Sequence, residues 1–466
     1  MIDADLIWSL LVLVVRELTL FAAIGILIGS LDDIAIDMLW MVRSIWRQSV
    51  IYTRHRRVTA QTLSPPIRPG RIAVYVPAWD ESAVIRRMVE NAFATFQHQD
   101  YRIYVGAYPN DAATLAELAL VTDPRLRVVV NPRPGPTTKA DCLNRIWAAM
   151  REDEAVSGVP IKAIVLHDAE DVVHSMELRV FDRLIERYEL VQLPVLPLID
   201  RDSRWVSAHY VDEFVEAHSK VLVVREAIGA GVPSAGVGCA IATRVLAGIA
   251  AGKGEEAGGP FDADSLTEDY ELGLRLREFG GRGVFVRMPA GRGRGLVAVR
   301  AYFPGTMRDA IRQKSRWMVG IALSGWDRLG WRGGLAEAWM RLRDRAALLV
   351  ATVLAAAYLS LALWTVLIVW GHLSGRALPE LWPHLVTLLA INVAFTIWRC
   401  ALRAVLVARS YGVGEGLRSI PRIVVANCIA MLASWRALFR YVAMRRAGRV
   451  EWDKTAHAFP SSLPPE

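Results

Sequence analysis

Apolar and polar positions along this chain follow three rhythms. In the C-terminal third, residues 346–370 run for 25 positions without a charge, and at 1.5 Å per residue a helix of that length crosses a hydrocarbon core of about 30 Å. Residues 379–398 form a second apolar run, with Glu380 near its start, which stops at Arg399 with Arg403 and Arg409 beyond it, so it returns to the arginine-rich, cytoplasmic side. Near the start, residues 6–31 are apolar but broken by Arg16 and Glu17, and Arg43, Arg47, Arg54, Arg56 and Arg57 follow. Those arginines hold that end inside. The segment lacks the short apolar core and small-residue cleavage site of a signal peptide, so a retained span is expected. Arg16 and Glu17, adjacent in sequence, point to different sides of a helix.

The second rhythm is amphipathic. After Pro421 the uncharged run covers only 423–435, and at 100° per residue Arg422, Arg436 and Arg440 fall within about 40° on one helical face. That pattern predicts a helix lying in the membrane interface. The expected organisation is then an N-terminal transmembrane helix (1–42), a basic cytosolic linker (43–70), a soluble domain (71–305), an interfacial helical region (306–345), two transmembrane helices (346–408), an amphipathic interfacial helix (409–447) and a cytosolic tail (448–466), giving three spans with the N-terminus outside.

The third rhythm occupies the middle. "RIAVYVPA", "RIYVGAYP", "LRVVVN" and "KAIVLHD" are short β-branched runs, and helical patterns such as "SAVIRRMVENAFATF" and "AATLAELAL" lie between them. Strands alternating with helices predict an α/β domain around a mostly parallel sheet, with its ligand beyond the carboxyl ends of the strands. Composition adds that 53% apolar residues and 16 Trp are heavy for a purely soluble enzyme, and that the net charge of +8 (55 Lys+Arg against 47 Asp+Glu) is concentrated at the flanks of apolar stretches. Such a distribution suits anionic lipid headgroups and not nucleic acid. Cys142, Cys239, Cys400 and Cys428 have no metal or redox spacing and read as reduced apolar fillers.

Chemistry enters at "IVLHDAEDVVHSMEL". Asp168 and Glu170, at i and i+2 on leaving a strand, can turn toward one hard cation, Mg²⁺ or Mn²⁺, bridging a diphosphate; capping the next helix is the competing use. Farther on, "GGPFDADSLTEDY" delivers Thr267, Glu268 and Asp269 to the start of a helix, where acids either favour the helix dipole or supply a general base. In "RQKSRWMVG", Gln313, Arg316 and Trp317 share one helical face, as site residues or as interfacial anchors. His167 beside the acids reads as a packing residue rather than a ligand, "GAGVPSAGVG" lacks the context of a dinucleotide fingerprint, and "AGRGRG" reads as a mobile loop.

The ordered set "DAE", "TED" and "QKSRW", followed by membrane spans, resembles the D, DxD, TED and QxxRW signature of family 2 inverting glycosyltransferases of the polysaccharide-synthase type. The "PAWDE", "YPND" and "HDAED" blocks are similar to those of bacterial inner-membrane phage adsorption protein B glycosyltransferases. That resemblance implies a GT-A, nucleotide-diphospho-sugar transferase (Rossmann-like) domain in the cytosol of a multi-pass inner-membrane protein. It assigns Pro77, Ala78, Asp80 and Glu81 to the nucleotide base and ribose, Asp111 as a second nucleotide-contacting acid, Lys139 to the diphosphate, Asp168 and Glu170 to the metal, and Asp269, with Glu268 and Thr267, to the catalytic block. Gln313, Arg316 and Trp317 would hold donor and acceptor in register. Gln192 and Pro194 match a QTP-like segment, and Gly236 and Gly238 a small-residue acceptor loop. The implied partners are a UDP-sugar, from which a hexosyl or N-acetylhexosaminyl group passes to a growing polysaccharide or a lipid-linked acceptor, the bilayer, and an outer-membrane or periplasmic export partner. Glu170 replaces the second aspartate of the DxD motif. Those relatives often carry a further C-terminal regulatory domain. The alternatives are a non-catalytic membrane scaffold and a sugar-nucleotide sensor.

Overall fold

The computed structural model describes residues 4–254, 258–447 and 457–460. Among them the β-branched runs become strands β1 (Arg71–Pro77), β2 (Tyr101–Ala107), β3 (Leu126–Val130) and β4 (Ile161–Leu166), followed by β5 (Leu190–Gln192), β6 (Val195–Pro197), β7 (Cys239–Ala242), β8 (Gly283–Phe285) and β9 (Val299–Ala301). Seven of these form one sheet in the order β3-β2-β1-β4-β7-β5-β8, while β6 and β9 pair separately. All pairs are parallel except the two made by β7, which runs antiparallel between β4 and β5.

Strand residues alternate between two cores, as the pleat requires. Ile72, Val74 and Val76 face a cluster with Met88 and Val89 of α3 (Ile85–Thr95), while Ala73 and Tyr75 face Leu143 and Ile146 of α5 (Lys139–Ser157). A strand buried on both faces explains why β1 reads as continuously apolar. The chain moves from β1 outward to β2 and β3, then crosses back to place β4 on the other side of β1. The adjacent carboxyl ends of β1 and β4 thus sit at a topological switch point, the usual ligand position in open α/β sheets.

The remaining helices of this part are α4 (Ala112–Ala119), α6 (Glu177–Leu184), α7 (Ala208–Glu216), α8 (Leu222–Ala227), α9 (Thr243–Lys253), α10 (Glu268–Glu278), α11 (Met307–Met318), α12 (Gly325–Leu329) and α13 (Leu335–Arg345). Four helices among the described residues are long and apolar enough to cross a membrane: α1 (Ala4–Trp46) continued through a π turn and α2 (Tyr52–Arg54), α14 (Ala347–Ser374), α15 (Pro383–Tyr411) and α16 (Val413–Ala447). Small and polar groups knit the first three together. Val353 packs against Gly25, Thr19 Oγ1 lies 2.7 Å from Ser360 Oγ, and Asn392 Nδ2 donates to the Ala23 carbonyl at 2.8 Å, as expected where lipid offers no hydrophobic drive for helix association. Arg16 donates to the Glu380 carbonyl and lies over the Trp382 ring.

One sequence expectation is corrected. The span expected at 1–42 belongs to a helix that runs on to Arg54, so the first part of the 43–70 linker is helical; between Gly29 and Pro65 the sequence holds no glycine or proline to stop it. The acids Asp32, Asp33 and Asp37 along it are neutralised by Arg343, Arg399 and Lys220. The helix after Pro421 is longer than its 13 uncharged residues implied, and by length and apolarity it could also cross a membrane. Of the arginines on its polar face, Arg422 is fully buried between Asp212 and Glu415 and Arg436 and Arg440 are half-buried, while Trp435, Phe439 and Val442 face outward.

Candidate active site

A cavity of about 840 Å³ opens beyond the carboxyl ends of β1 and β4. At its floor, Asp168 leaves β4 and accepts a hydrogen bond from Lys139 Nζ at 2.5 Å. Lys139 is the first residue of α5, whose Thr138 caps the helix by accepting from the Asp141 N–H at 3.2 Å. Burial alone would lower the Lys139 ammonium, but the carboxylates of Asp168, Glu268 and Asp269 outweigh it and raise it. The same pairing holds Asp168 below the ordinary carboxylate range against its own burial.

Glu170 lies deeper. Burial, opposed by His457 and reinforced by Asp168 and Glu81, pushes its carboxyl up to about 8. His457 Nδ1 stands 2.8 Å from Glu81 Oε1 and 3.2 Å from Glu170 Oε2, and ligating atoms of these three residues lie within 4.8 Å of one another. Despite burial, Glu170 and Glu81 raise the His457 imidazole to about 9. Glu170 Oε2 is buried and receives no hydrogen bond. A buried carboxylate oxygen that receives no hydrogen bond, beside a second carboxylate and an imidazole that can ligate once it gives up its proton, is a donor set that fits a divalent cation.

Asp171, the third acid of the "HDAED" block, turns away from this group. Its Oδ2 lies 2.9 Å from His167 Nδ1, while His167 Nε2 meets Glu177 Oε1 at 2.7 Å, and all three are buried. His167 is therefore a core residue held by two carboxylates, which raise it to about 10 against the lowering effect of burial.

The "TED" block reaches the opposite wall. Helix α10 begins at Glu268, and Thr267 occupies the cap position without a side-chain cap bond. Thr267 Oγ1 is buried without a partner, packed where a Cβ at Gly320 would stand. Asp269 Oδ1 accepts from the Tyr270 N–H at 2.8 Å. Its Oδ2 lies where a Cβ on Gly236 would clash, and Gly236 has φ +73°. The small-residue loop thus lets the backbone lie against the Asp269 carboxylate. Burial raises Asp269, opposed by Lys139, and burial with the Asp269 charge raises Glu268 to about 7.

Gln313, Arg316 and Trp317 of α11 line the same cavity, as do Pro77 and Glu81. Ala78, Asp80 and Asp111 are not on its wall. Asp111 is the N-cap of α4, accepting from Thr114 N at 3.2 Å and from Asp80 N at 2.6 Å, where Asp80 has φ +56°. Gln192 is buried and braces the loop before β7, donating to Val237 O and accepting from Ala235 N. His457 was missed by sequence reasoning; a single histidine in a polar tail has no local spacing that links it to Glu81.

A family model described as "Glycosyltransferase like family 2" matches residues 69–320. Bacteriophage adsorption protein B of Escherichia coli (strain K12) is 37% identical over 472 residues, covering 96% of this chain and 62% of that protein, and bacteriophage N4 adsorption protein B of Escherichia coli O157:H7 matches to the same extent. The chain therefore spans about 62% of the length of these curated relatives. Among solved structures, a mannosyltransferase from Pyrobaculum calidifontis in complex with GDP-Man and Mn²⁺ superposes with a TM-score of 0.53 at 15% identity, over 90% of this chain and 99% of that one, a likeness of fold.

Proposed function

The chain belongs to the glycosyltransferase like family 2, and on that premise we propose that it transfers a sugar, with inversion, from a nucleoside-diphosphate donor to a hydroxyl of a glycan acceptor at the cytosolic face of a bacterial inner membrane. The observation that carries the reading is the convergence of Lys139, Asp168, Glu170, Asp269 and the Gln313–Arg316–Trp317 face on one cavity at the switch point. Asp269 takes the proton of the attacking hydroxyl as the new bond to the anomeric carbon forms, and the bond to the donor diphosphate breaks on the opposite face. Lys139 stands where it can neutralise the departing diphosphate, and Arg316 with Trp317 keeps donor and acceptor aligned. Glu81, Glu170 and His457, with Asp168 beside them, would hold a Mg²⁺ or Mn²⁺ ion, which when bound supplies charge neutralisation for the diphosphate. The GDP-Man and Mn²⁺ of the fold neighbour support that chemistry.

Membrane placement follows the same reading. We place α1, α14 and α15 across the bilayer and α16 along its surface, because both halves of α16 meet the soluble domain: Arg422 bonds Asp212 of α7, and Tyr441 donates to Asp327 of α12 at 2.6 Å. Next to Asp327, Arg328 grips Glu271 of α10 at 2.8 Å.

A screen of UDP- and GDP-sugars for divalent-dependent release of nucleoside diphosphate by the purified full chain tests the function. Release of diphosphate by wild type, and loss of divalent-dependent donor binding in a folded Asp168→Asn variant, is the expected result. Donor binding without any turnover would instead identify a sensor, and no binding a scaffold.

A further inference from the structure

One member of the Glu81–Glu170–His457 group comes from far along the chain. Residues 457–460 follow α16 in sequence, and His457, Ala458 and Phe459 stand on the cavity wall. Arg87 of α3 holds the far end of this segment: its Nη2 donates to the Pro460 carbonyl at 2.9 Å, and its guanidinium lies over the Phe459 ring at 5.4 Å from the centroid. Pro460 is buried, and Phe459 packs against the core cluster that holds Ile85, Met88 and Val89 of α3. The preceding residue, Arg86, bonds Glu90 one turn along the same helix at 2.9 Å. Arg87 itself is not on the cavity wall. It reaches the site only through the segment it grips.

We propose that Arg87 is a positioning residue: by gripping Phe459 and Pro460 it fixes the 457–460 segment on α3, and so holds the His457 imidazole against Glu81 and Glu170, where the divalent ion would sit. The assignment rests on the ion reading given above and adds what keeps the imidazole in place. Glu81 and His457 are 376 positions apart in the chain, so ordering the histidine is an entropic cost that falls on ion binding unless other contacts meet it beforehand. A cation over an aromatic face and a hydrogen bond to a carbonyl are contacts of that kind. One guanidinium makes both, so a single substitution releases both. The stretch from β1 into α3 supplies Glu81 as well as Arg87, which ties one carboxylate and the grip on the histidine segment to the same element. Ion affinity then depends on a residue that stands off the cavity wall. If Arg87 only stiffened the outside of α3, its removal would act alike whether or not His457 is present.

The test uses the full chain in detergent. Calorimetry reads Mn²⁺ affinity in wild type, Arg87→Ala, Phe459→Ala, His457→Gln, and a double variant carrying Arg87→Ala with His457→Gln. Arg87→Ala and Phe459→Ala should each lose about tenfold, the lower end of what removing a group that orients a metal ligand costs. In the His457→Gln background, Arg87→Ala should cost less than about twofold more, because the residue it positions is already gone. A second readout needs no ion: a nitroxide on Ala458→Cys, an exposed position, should be constrained in the otherwise wild-type chain and mobile with Arg87→Ala, each spectrum taken against the labelled chain that lacks this cysteine. Label mobility that does not depend on Arg87 overturns the proposal, as does Mn²⁺ affinity within about twofold of wild type in Arg87→Ala, or an equal loss with and without His457. If wild type binds no Mn²⁺ while Arg87→Ala frees the label, the grip on His457 stands and the ion reading falls.

Discussion

The two ends of the cavity are built on opposite electrostatic plans. At the strand ends, Glu81, Asp168, Glu170, Glu268 and Asp269 face Lys139 and His457, so acids outnumber the bases among them and burial lifts Glu170 to about 8 and Glu268 to about 7. At the membrane-proximal end, the carboxylate of Glu213 is matched by Lys314 and the surroundings are aromatic. An excess of buried acid is costly unless a cation or a proton joins it. A balanced pair beside rings suits a neutral, hydroxylated guest. Under the proposed reaction, the first end suits the charged reactant and the second the uncharged one.

The largest effect should follow from removing the proposed base. Asp269→Asn keeps the shape, and the asparagine oxygen can still accept from the Tyr270 N–H, but the amide takes no proton, so transfer should fall by roughly 10² to 10⁴. Donor affinity should persist, since Lys139 and Asp168 are untouched. If Asp269 served only the helix dipole, the change would cost at most about 1 kcal/mol of stability and leave turnover within about threefold. Rate and donor affinity measured on one folded preparation decide between these.

The wall that carries Glu213 is anchored from behind, and loosening that anchor should separate the two ends. On α7, Glu213 faces the cavity while Glu216 bonds Arg403 of α15 at 2.8 Å and Lys220 at 3.0 Å. Burial would raise the Glu216 carboxyl, but Arg403 and Lys220 bring it down to about 2. A carboxyl depressed from 4.5 when unfolded to about 2 when folded contributes stability that is complete above pH 4.5 and lost as pH falls toward 2. The linkage is worth about 3 kcal/mol. Glu216→Gln should therefore destabilise at neutral pH by about 3 kcal/mol, because it takes the bonded carboxylate from Arg403 and leaves Lys220 with Asp37 alone. The deficit should shrink below pH 4.5, as wild type loses the same interaction. Denaturant titrations in detergent at pH 7 and pH 3 measure both; a deficit that stays constant would remove Glu216 from the anchor. Acceptor KM should rise in this variant while diphosphate affinity holds.

A smaller effect is expected at the acid-rich end from His457→Gln. Mn²⁺ affinity should drop by about 10- to 100-fold if the imidazole supplies one donor to the ion. Unchanged Mn²⁺ binding by calorimetry would leave His457 as a charge partner for Glu81 and Glu170.

These two ends also differ in how much of them the sequence displays. The strands were legible because β1, β2 and β4 run apolar after one basic residue near the start, Arg71, Arg102 and Lys162, and "DAE" and "TED" because each places its acids together at a strand or helix end. The aromatic end was not, since Glu213 and Phe214 belong to an ordinary helical run and meet Phe303 and Lys314 only when α7 and α11 pack together. His457 lies at the far end of the chain from Glu81, and no spacing rule connects them. Other partners lie outside any local pattern: Asp111, which the resemblance assigned to the nucleotide, is an N-cap, Asp171 holds His167, and Arg422 of α16 is buried against protein, whereas periodicity alone had assigned its face to the membrane surface.

The smallest effect should come from Asp111→Asn, and it sharpens the boundary of the donor end. The resemblance to family 2 enzymes makes Asp111 a direct contact of the nucleotide. In the structure its carboxylate caps α4 and accepts the Asp80 N–H at 2.6 Å, where the chain takes a left-handed φ of +56°. One residue on, Glu81 N donates to Thr114 Oγ1 at 3.0 Å, so α4 holds the turn that presents Glu81 to His457. Asparagine caps a helix about as well as aspartate, so that function survives. The loss is a charge-assisted bond to Asp80, and about 1 kcal/mol of stability is expected. Donor affinity should stay within about threefold, because a bond of that size acts on the turn and only through it on the ligand. A tenfold or greater fall in UDP or GDP affinity, with stability unchanged, would put Asp111 on the nucleotide itself and extend the acid-rich end by one residue beyond the cavity wall.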